Sequence, residues 1–219
     1  MERIAAIIFD FDGVLVDSEP LHEWAIREAV APLGWVFSHE QFVEGIVGRG
    51  DERAFVTIAG WNGGELSGER AGALLARKRV LMAEGIAAGR YEVQRGAAEM
   101  VVFAGERFPL AVCSGSRASV VCGMLEATGL APHFRHVVTA DDVARAKPAP
   151  DGYMLAAERL GVEAARCLAI EDTPTGIEAA KGAGMRVIGV CHTCAAASLG
   201  AADWVMRDIV EVRDLLMRA

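Results

Sequence analysis

The stretch that most restricts the fold is Ile4-Ala-Ala-Ile-Ile-Phe9 together with the residues it runs into, Asp10-Phe-Asp12-Gly13. Apolar residues in an unbroken run, Ile-rich and without polar alternation, predict a strand buried on both faces, the kind found at the centre of a parallel sheet. Side chains two apart on a strand share a face, so Asp10 and Asp12 are expected to project from one spot at its carboxyl end. Two readings are open. Either the acids merely open a turn at Gly13, or they build a divalent-metal site with a nucleophilic carboxylate. The second follows because paired anions beside a buried strand are costly unless a cation or a proton lies between them.

The rest of the chain alternates between two periodicities. Helical patterning runs from Ser18-Glu19-Pro20, with a first-turn proline, to about Leu33. From 18 to 92 no further long β-like run occurs; glycine-rich breaks and helical stretches such as Glu69 to Met82 read as an all-helical insertion. Strands follow at Phe108–Cys113, His136–Thr139, Cys167–Ile170 and Arg186–Val190, with Trp204-Val205 as a short sixth. Between and after them, helices are predicted at Ser116–Thr128, Asp151–Leu160, Pro174–Ala183 and Ile209–Met217, three of them closed by Gly129, Gly161 and Gly184. The expected fold is therefore α/β: a doubly wound, Rossmann-like parallel sheet from 1–17 and 93–219, with a small helical domain, 18–92, inserted after the first strand. At 219 residues the chain is large for one core and small for two full ones, which suits this division.

A formal charge of -8 argues against a general nucleic-acid binder, so an anionic ligand needs a local positive site. Five scattered cysteines suit a reducing compartment. Cys191-His-Thr-Cys194 has a CxxC spacing without a second pair, and reads as a strand end entering a loop. With no membrane-length apolar run, and a strand predicted from Ile4, a cytoplasmic protein without membrane partners is expected.

In a doubly wound sheet ligands lie outside the carboxyl ends of the strands. The second strand ends in Ser114-Gly115-Ser116, which reads as a helix cap and equally as a phosphate cradle of hydroxyl and amide groups. After the third strand comes Lys147 between Ala146 and Pro148-Ala-Pro150; it is either a solvated charge or a stiffly held ammonium facing a phosphoryl group. The fourth ends in Glu171-Asp172-Thr173-Pro174, either a capped helix start or a second pair of acids offering oxygen ligands to a hard cation.

In this order, Asp10-Phe-Asp12-Gly-Val-Leu, Ser114, Lys147-Pro148 and Glu171-Asp172 resemble the four signatures of the haloacid dehalogenase superfamily, and the resemblance covers almost the whole chain. The helical insertion is similar to that superfamily's small cap. Asp17-Ser-Glu-Pro-Leu-His22 is similar to its β-phosphoglucomutase and sugar-phosphate phosphatase branch. The resemblance implies that Asp10 attacks phosphorus to form an aspartyl phosphate, and that Asp12 serves as acid and then base. It implies Mg2+ held by Asp10, Asp172 and the Asp12 carbonyl, with Glu171 ligating or orienting a metal-bound water. Ser114, Gly115, Ser116 and Lys147 would bind the phosphoryl group. An acid at position 12 argues against dehalogenation. In the cap, His22, Arg49 and Lys78 are candidate substrate residues, against an amphipathic-helix histidine and solvated charges as the plain alternative. The expected activity is hydrolysis of a small phosphorylated metabolite by a chain favoured as a monomer. The alternatives are a phosphohexomutase and a catalytically silent sugar-phosphate sensor.

Overall fold

The computed structural model describes residues 4–47 and 50–217. The chain divides into two compact units, Met1–Asp17 with Glu92–Ala219, and Ser18–Tyr91. In the first, six strands form one sheet: β1 (Ala6–Phe9), β4 (Leu110–Cys113), β5 (His136–Val138), β6 (Cys167–Glu171), β7 (Arg186–Val190) and β8 (Trp204–Met206). Their order is β5-β4-β1-β6-β7-β8, and every pairing is parallel. β1 is central, as its unbroken apolar run predicts. The chain winds outward from it on one side through β4 and β5, then returns to its other side with β6, β7 and β8. That reversal leaves a crevice at the carboxyl end of β1.

Alternate residues of the strands serve opposite faces. Ala6, Ile8, Ala111, Cys113, Cys167, Ala169 and Val187 form a buried cluster with residues of α7 (Asp151–Leu160) and α8 (Pro174–Gly182). Ile7, Phe9, Leu110, Val112, Ile170 and Ile188 are buried on the other face, where Phe9 meets Phe134 edge-on at 5.9 Å. The remaining helices of this unit are α5 (Ala97–Gly105), α6 (Ala118–Ala127) and α9 (Ile209–Met217).

Several element ends differ from expectation. β1 begins pairing at Ala6 rather than Ile4. α5 carries no long amphipathic signal and was not anticipated; neither was the two-residue ribbon of β2 (Val16–Asp17) and β3 (Glu92–Val93). β5 stops at Val138 because the Thr139 amide and hydroxyl both donate to the Asp142 carboxylate instead of continuing the ladder. α6 starts at Ala118, two residues later than predicted, for a reason found at the site.

The second unit is helical: α1 (Glu19–Val30), α2 (His39–Gly45), α3 (Asp51–Trp61) and α4 (Gly68–Ala87). α4 is longer than the predicted Glu69–Met82. Ser67 caps it, accepting from the Arg70 amide at 3.3 Å, and its buried stripe is Leu74, Lys78, Leu81, Met82 and Gly85. Gly85 lets α1 approach closely, since a Cβ there would lie 2.2 Å from Leu21 Cδ1. A capping box, Ser38 with Gln41, starts α2.

Candidate active site

At the carboxyl end of β1 the Asp10 amide donates to Ile170 O at 2.9 Å, which carries the β1–β6 pairing one residue further and fixes the Asp10 backbone. Its side chain is buried, and Lys147 Nζ donates to Asp10 Oδ1 at 2.7 Å and to Glu171 Oε1 at 2.6 Å. Lys147 is thus no solvated charge. The ammonium also lies 5.0 Å from the centroid of the Tyr153 ring, over its face. Burial alone would lower the Lys147 pKa, but the charges of Asp10 and Glu171 outweigh it and hold the group well above the ordinary lysine range. The lysine is therefore a fixed positive charge.

Glu171 is fully engaged. Its Oε1 also accepts from the Tyr153 hydroxyl at 2.8 Å, and its Oε2 accepts from the Asp172 amide at 3.1 Å and from the Thr173 amide and hydroxyl at 3.3 and 3.2 Å. Thr173 in turn caps α8, accepting from the Gly176 amide at 3.1 Å, with Pro174 in the first turn. Burial, with the Glu171 charge behind it, pushes the Tyr153 hydroxyl and the Asp10 carboxyl up from their ordinary values.

Asp172 is the unsatisfied member. Both its carboxylate oxygens are buried and make no hydrogen bond, and burial together with the Glu171 charge raises its pKa to about 7. Asp10, Glu171 and Asp172 offer oxygens within 4.8 Å of one another. An orphaned buried carboxylate within an all-oxygen donor set fits a hard divalent cation.

Asp12 goes elsewhere. Strand geometry ends at Phe9, and a tight turn follows in which the Gly13 amide donates to Val16 O at 2.7 Å. The acids therefore lie past the strand rather than on it, and the Asp12 charge still acts on Asp10. Asp12 Oδ2 accepts from the hydroxyls of Ser114 at 3.1 Å and Ser116 at 2.7 Å. Neither serine caps α6. The Ala118 amide is taken instead by Asp141 Oδ2 at 2.9 Å, from the loop after β5. The seryl hydroxyls are spent on Asp12, so the helix starts late. Gly115 between them is exposed.

In the helical unit Lys78 is 2% exposed, not solvated. Its ammonium pairs with the Asp51 carboxylate and lies 3.1 Å from His22 Nδ1. His22 and Lys78 thus meet within the helical unit. Arg49 lies outside the described residues. Sequence reasoning missed Asp51 and Tyr153. Tyr153 lies on the buried face of α7 with Ala156 and Ala157, and the available signal was only that a core tyrosine needs a partner for its hydroxyl. Cys191 and Cys194 are free thiols outside the acidic group.

The chain belongs to the haloacid dehalogenase-like hydrolase family, whose sequence model matches residues 4–184, and is a hydrolase. It is similar to the fructose-1-phosphate phosphatase YqaB of Escherichia coli (strain K12), with 33% identity over 189 residues that cover 86% of this chain and 97% of that protein. A solved structure of CbbY from Rhodobacter sphaeroides in complex with xylulose-1,5-bisphosphate superposes with a TM-score of 0.84 at 28% identity, covering 95% of this chain and 96% of that one. The β-phosphoglucomutase of Clostridium difficile shares the fold, with a TM-score of 0.82 at 22% identity over 98% of this chain and 96% of that one. No helix among the described residues is long and apolar enough to cross a membrane.

Proposed function

We propose that this chain is a magnesium-dependent phosphatase of a small phosphorylated metabolite, a sugar phosphate, working through an aspartyl phosphate on Asp10. The observation that carries the reading is the division of labour between its two leading acids. Asp10 is paired with a fixed ammonium, Lys147 Nζ at 2.7 Å, whereas Asp12 is held by two hydroxyls. The first arrangement faces the Asp10 carboxyl with a fixed positive charge, which works against the burial and the acidic neighbours that raise its pKa and supplies the charge that a phosphoryl group needs. The second fixes the Asp12 side chain in place through neutral hydroxyls.

On this reading Asp10 attacks phosphorus and the phosphoryl oxygens share the Lys147 charge, with Ser114, Gly115 and Ser116 lining the same place. Asp12 gives its proton to the departing sugar oxygen. It then takes one from the water that hydrolyses the aspartyl phosphate. Glu171 acts by holding Lys147 and the exit of β6, since both its oxygens are already bonded. Asp10, Asp172 and the Asp12 carbonyl would hold the magnesium. When bound, it supplies positive charge that offsets the phosphoryl and carboxylate charges together.

The name of the Escherichia coli relative and the sugar bisphosphate bound to CbbY support a sugar phosphate as substrate. Hydrolysis is favoured over phosphoryl transfer to a second sugar hydroxyl by the state of Lys78. A mutase must grip the far end of its substrate, and this ammonium is already neutralised by Asp51. The five free cysteines fit a reducing, cytoplasmic setting. The test is a screen of sugar phosphates for magnesium-dependent phosphate release, with β-glucose 1-phosphate assayed with and without glucose 1,6-bisphosphate. Phosphate release without the bisphosphate is expected. Glucose 6-phosphate formation that outpaces phosphate release, and only with the bisphosphate, would make the chain a mutase.

A further inference from the structure

The segment after β7, Cys191-His-Thr-Cys194, plays no part in the chemistry above, yet its two middle residues touch the loop that carries Asp10 and Asp12. His192 Nδ1 lies 2.7 Å from the carbonyl oxygen of Gly13. A carbonyl can only accept, so Nδ1 bears the hydrogen and donates it; in the neutral ring Nε2 is then the acceptor. Thr193 and Asp172 close on the same glycine. A Cβ on Gly13 would lie 2.6 Å from the Thr193 hydroxyl oxygen and 1.9 Å from Asp172 Oδ2, and the residue has φ +80°. Gly13 is held between the ends of β6 and β7, in a space and a backbone conformation open only to glycine.

The loop is tied at its ends, where the Asp10 amide donates to Ile170 O and the Gln94 amide to Leu15 O, both at 2.9 Å, and at the Asp12 side chain by the Ser114 and Ser116 hydroxyls; its remaining backbone–backbone bonds are internal. The Gly13 amide donates to Val16 O at 2.7 Å, and the Leu15 and Val16 amides both donate to Phe11 O, at 2.9 and 3.2 Å. Such bonds set the shape of a turn but not its bearing on the sheet. A bond from the end of β7 to the Gly13 carbonyl ties the peptide unit after Asp12 to the sheet, between those anchored ends.

We propose that His192 is a positioning residue for the reaction. Its Nδ1–H holds the Gly13 carbonyl, orients the peptide unit that follows Asp12, and keeps the Asp12 carboxylate aimed between Ser114 and Ser116. It touches no reacting atom. The inference rests on the phosphatase reading, in which Asp12 is the acid–base group.

His192→Phe keeps the ring and removes the donor, whereas His192→Asn places an N–H on Cγ where Nδ1 stood. His192→Phe should lower kcat for phosphate release about tenfold with KM within about twofold, as expected when one hydrogen bond that orients a transition-state group is lost. His192→Asn should recover most of kcat. A purely structural ring would give the opposite order, with Phe the better replacement. His192→Asn no better than His192→Phe, or His192→Phe at wild-type kcat, would overturn the proposal. Should neither variant fold, 15N NMR of the histidine-labelled wild-type enzyme decides at alkaline pH. An Nδ1–H tautomer at His192 is expected, and an Nε2–H tautomer refutes the tie. Failure of the wild type to release phosphate from any sugar phosphate would instead remove the phosphatase reading, with the NMR result still judging the tie on its own.

Discussion

Replacing Asp172 with Asn should flatten the pH dependence of stability of the cation-free protein between pH 5 and 7. The Asp172 carboxyl is buried without a hydrogen bond and titrates at about 7 in the folded chain, against about 3.9 when unfolded. Between those values the folded protein holds a proton that the unfolded chain has lost. The stability this contributes is complete below about pH 4, falls as pH rises toward 7, and is level above. Three pH units at about 1.4 kcal/mol each bound the loss at about 4 kcal/mol. Asp142, Asp203 and Asp208 have lowered pKa values and titrate below this window, with the opposite sign. The Asp10 carboxyl, raised well above its ordinary value by burial, adds a slope of the same sign in both proteins. An unpaired amide in the variant costs about 1–3 kcal/mol at every pH, so the slope is diagnostic and the offset is not. Urea denaturation in chelator at several pH values measures it. Excess magnesium should restore the wild type above pH 7 and leave the variant unchanged, because the cation replaces the missing proton only where Asp172 is a carboxylate. A wild-type stability that is flat or rises from pH 5 to 7 relative to the variant would refute the reasoning.

Asp10→Asn removes the proposed nucleophile and the carboxylate that Lys147 faces, so phosphate release should fall by several orders of magnitude in a steady-state assay. Retained turnover would move the chemistry to another residue. Gly176→Ala should destabilise the fold by about 3 kcal/mol and lower the melting temperature by roughly 10 °C. The reason is that its Cβ would lie 1.8 Å from Glu171 Oε1, an atom fixed by Lys147 and Tyr153 that cannot retreat. Calorimetry of the variant checks it.

The parallel sheet was legible because a strand buried on both faces leaves an uninterrupted apolar signature, and Ile4–Phe9 carries it without ambiguity. The gathering of Asp10, Lys147, Glu171 and Asp172 at one rim follows from the same source. Parallel strands all end on one side, so residues just past successive strands converge there whatever lies between them. The local capping signal was also sound at Thr173, where it acts over three residues.

Which partner each polar side chain takes was decided only by the tertiary structure. The serines at 114 and 116 have good capping chemistry, yet a carboxylate about a hundred residues away claims both and Asp141 caps α6 in their place. Lys78 falls on the buried stripe of α4 and finds Asp51, a pairing no helical periodicity announces. His192 reaches Gly13 across the end of β6, because sheet order sets β7 two strands from β1. Apolar burial is additive along the chain and is written in its periodicity. A hydrogen bond is a choice among competing donors within 3 Å, and that choice does not exist until the fold has brought them together.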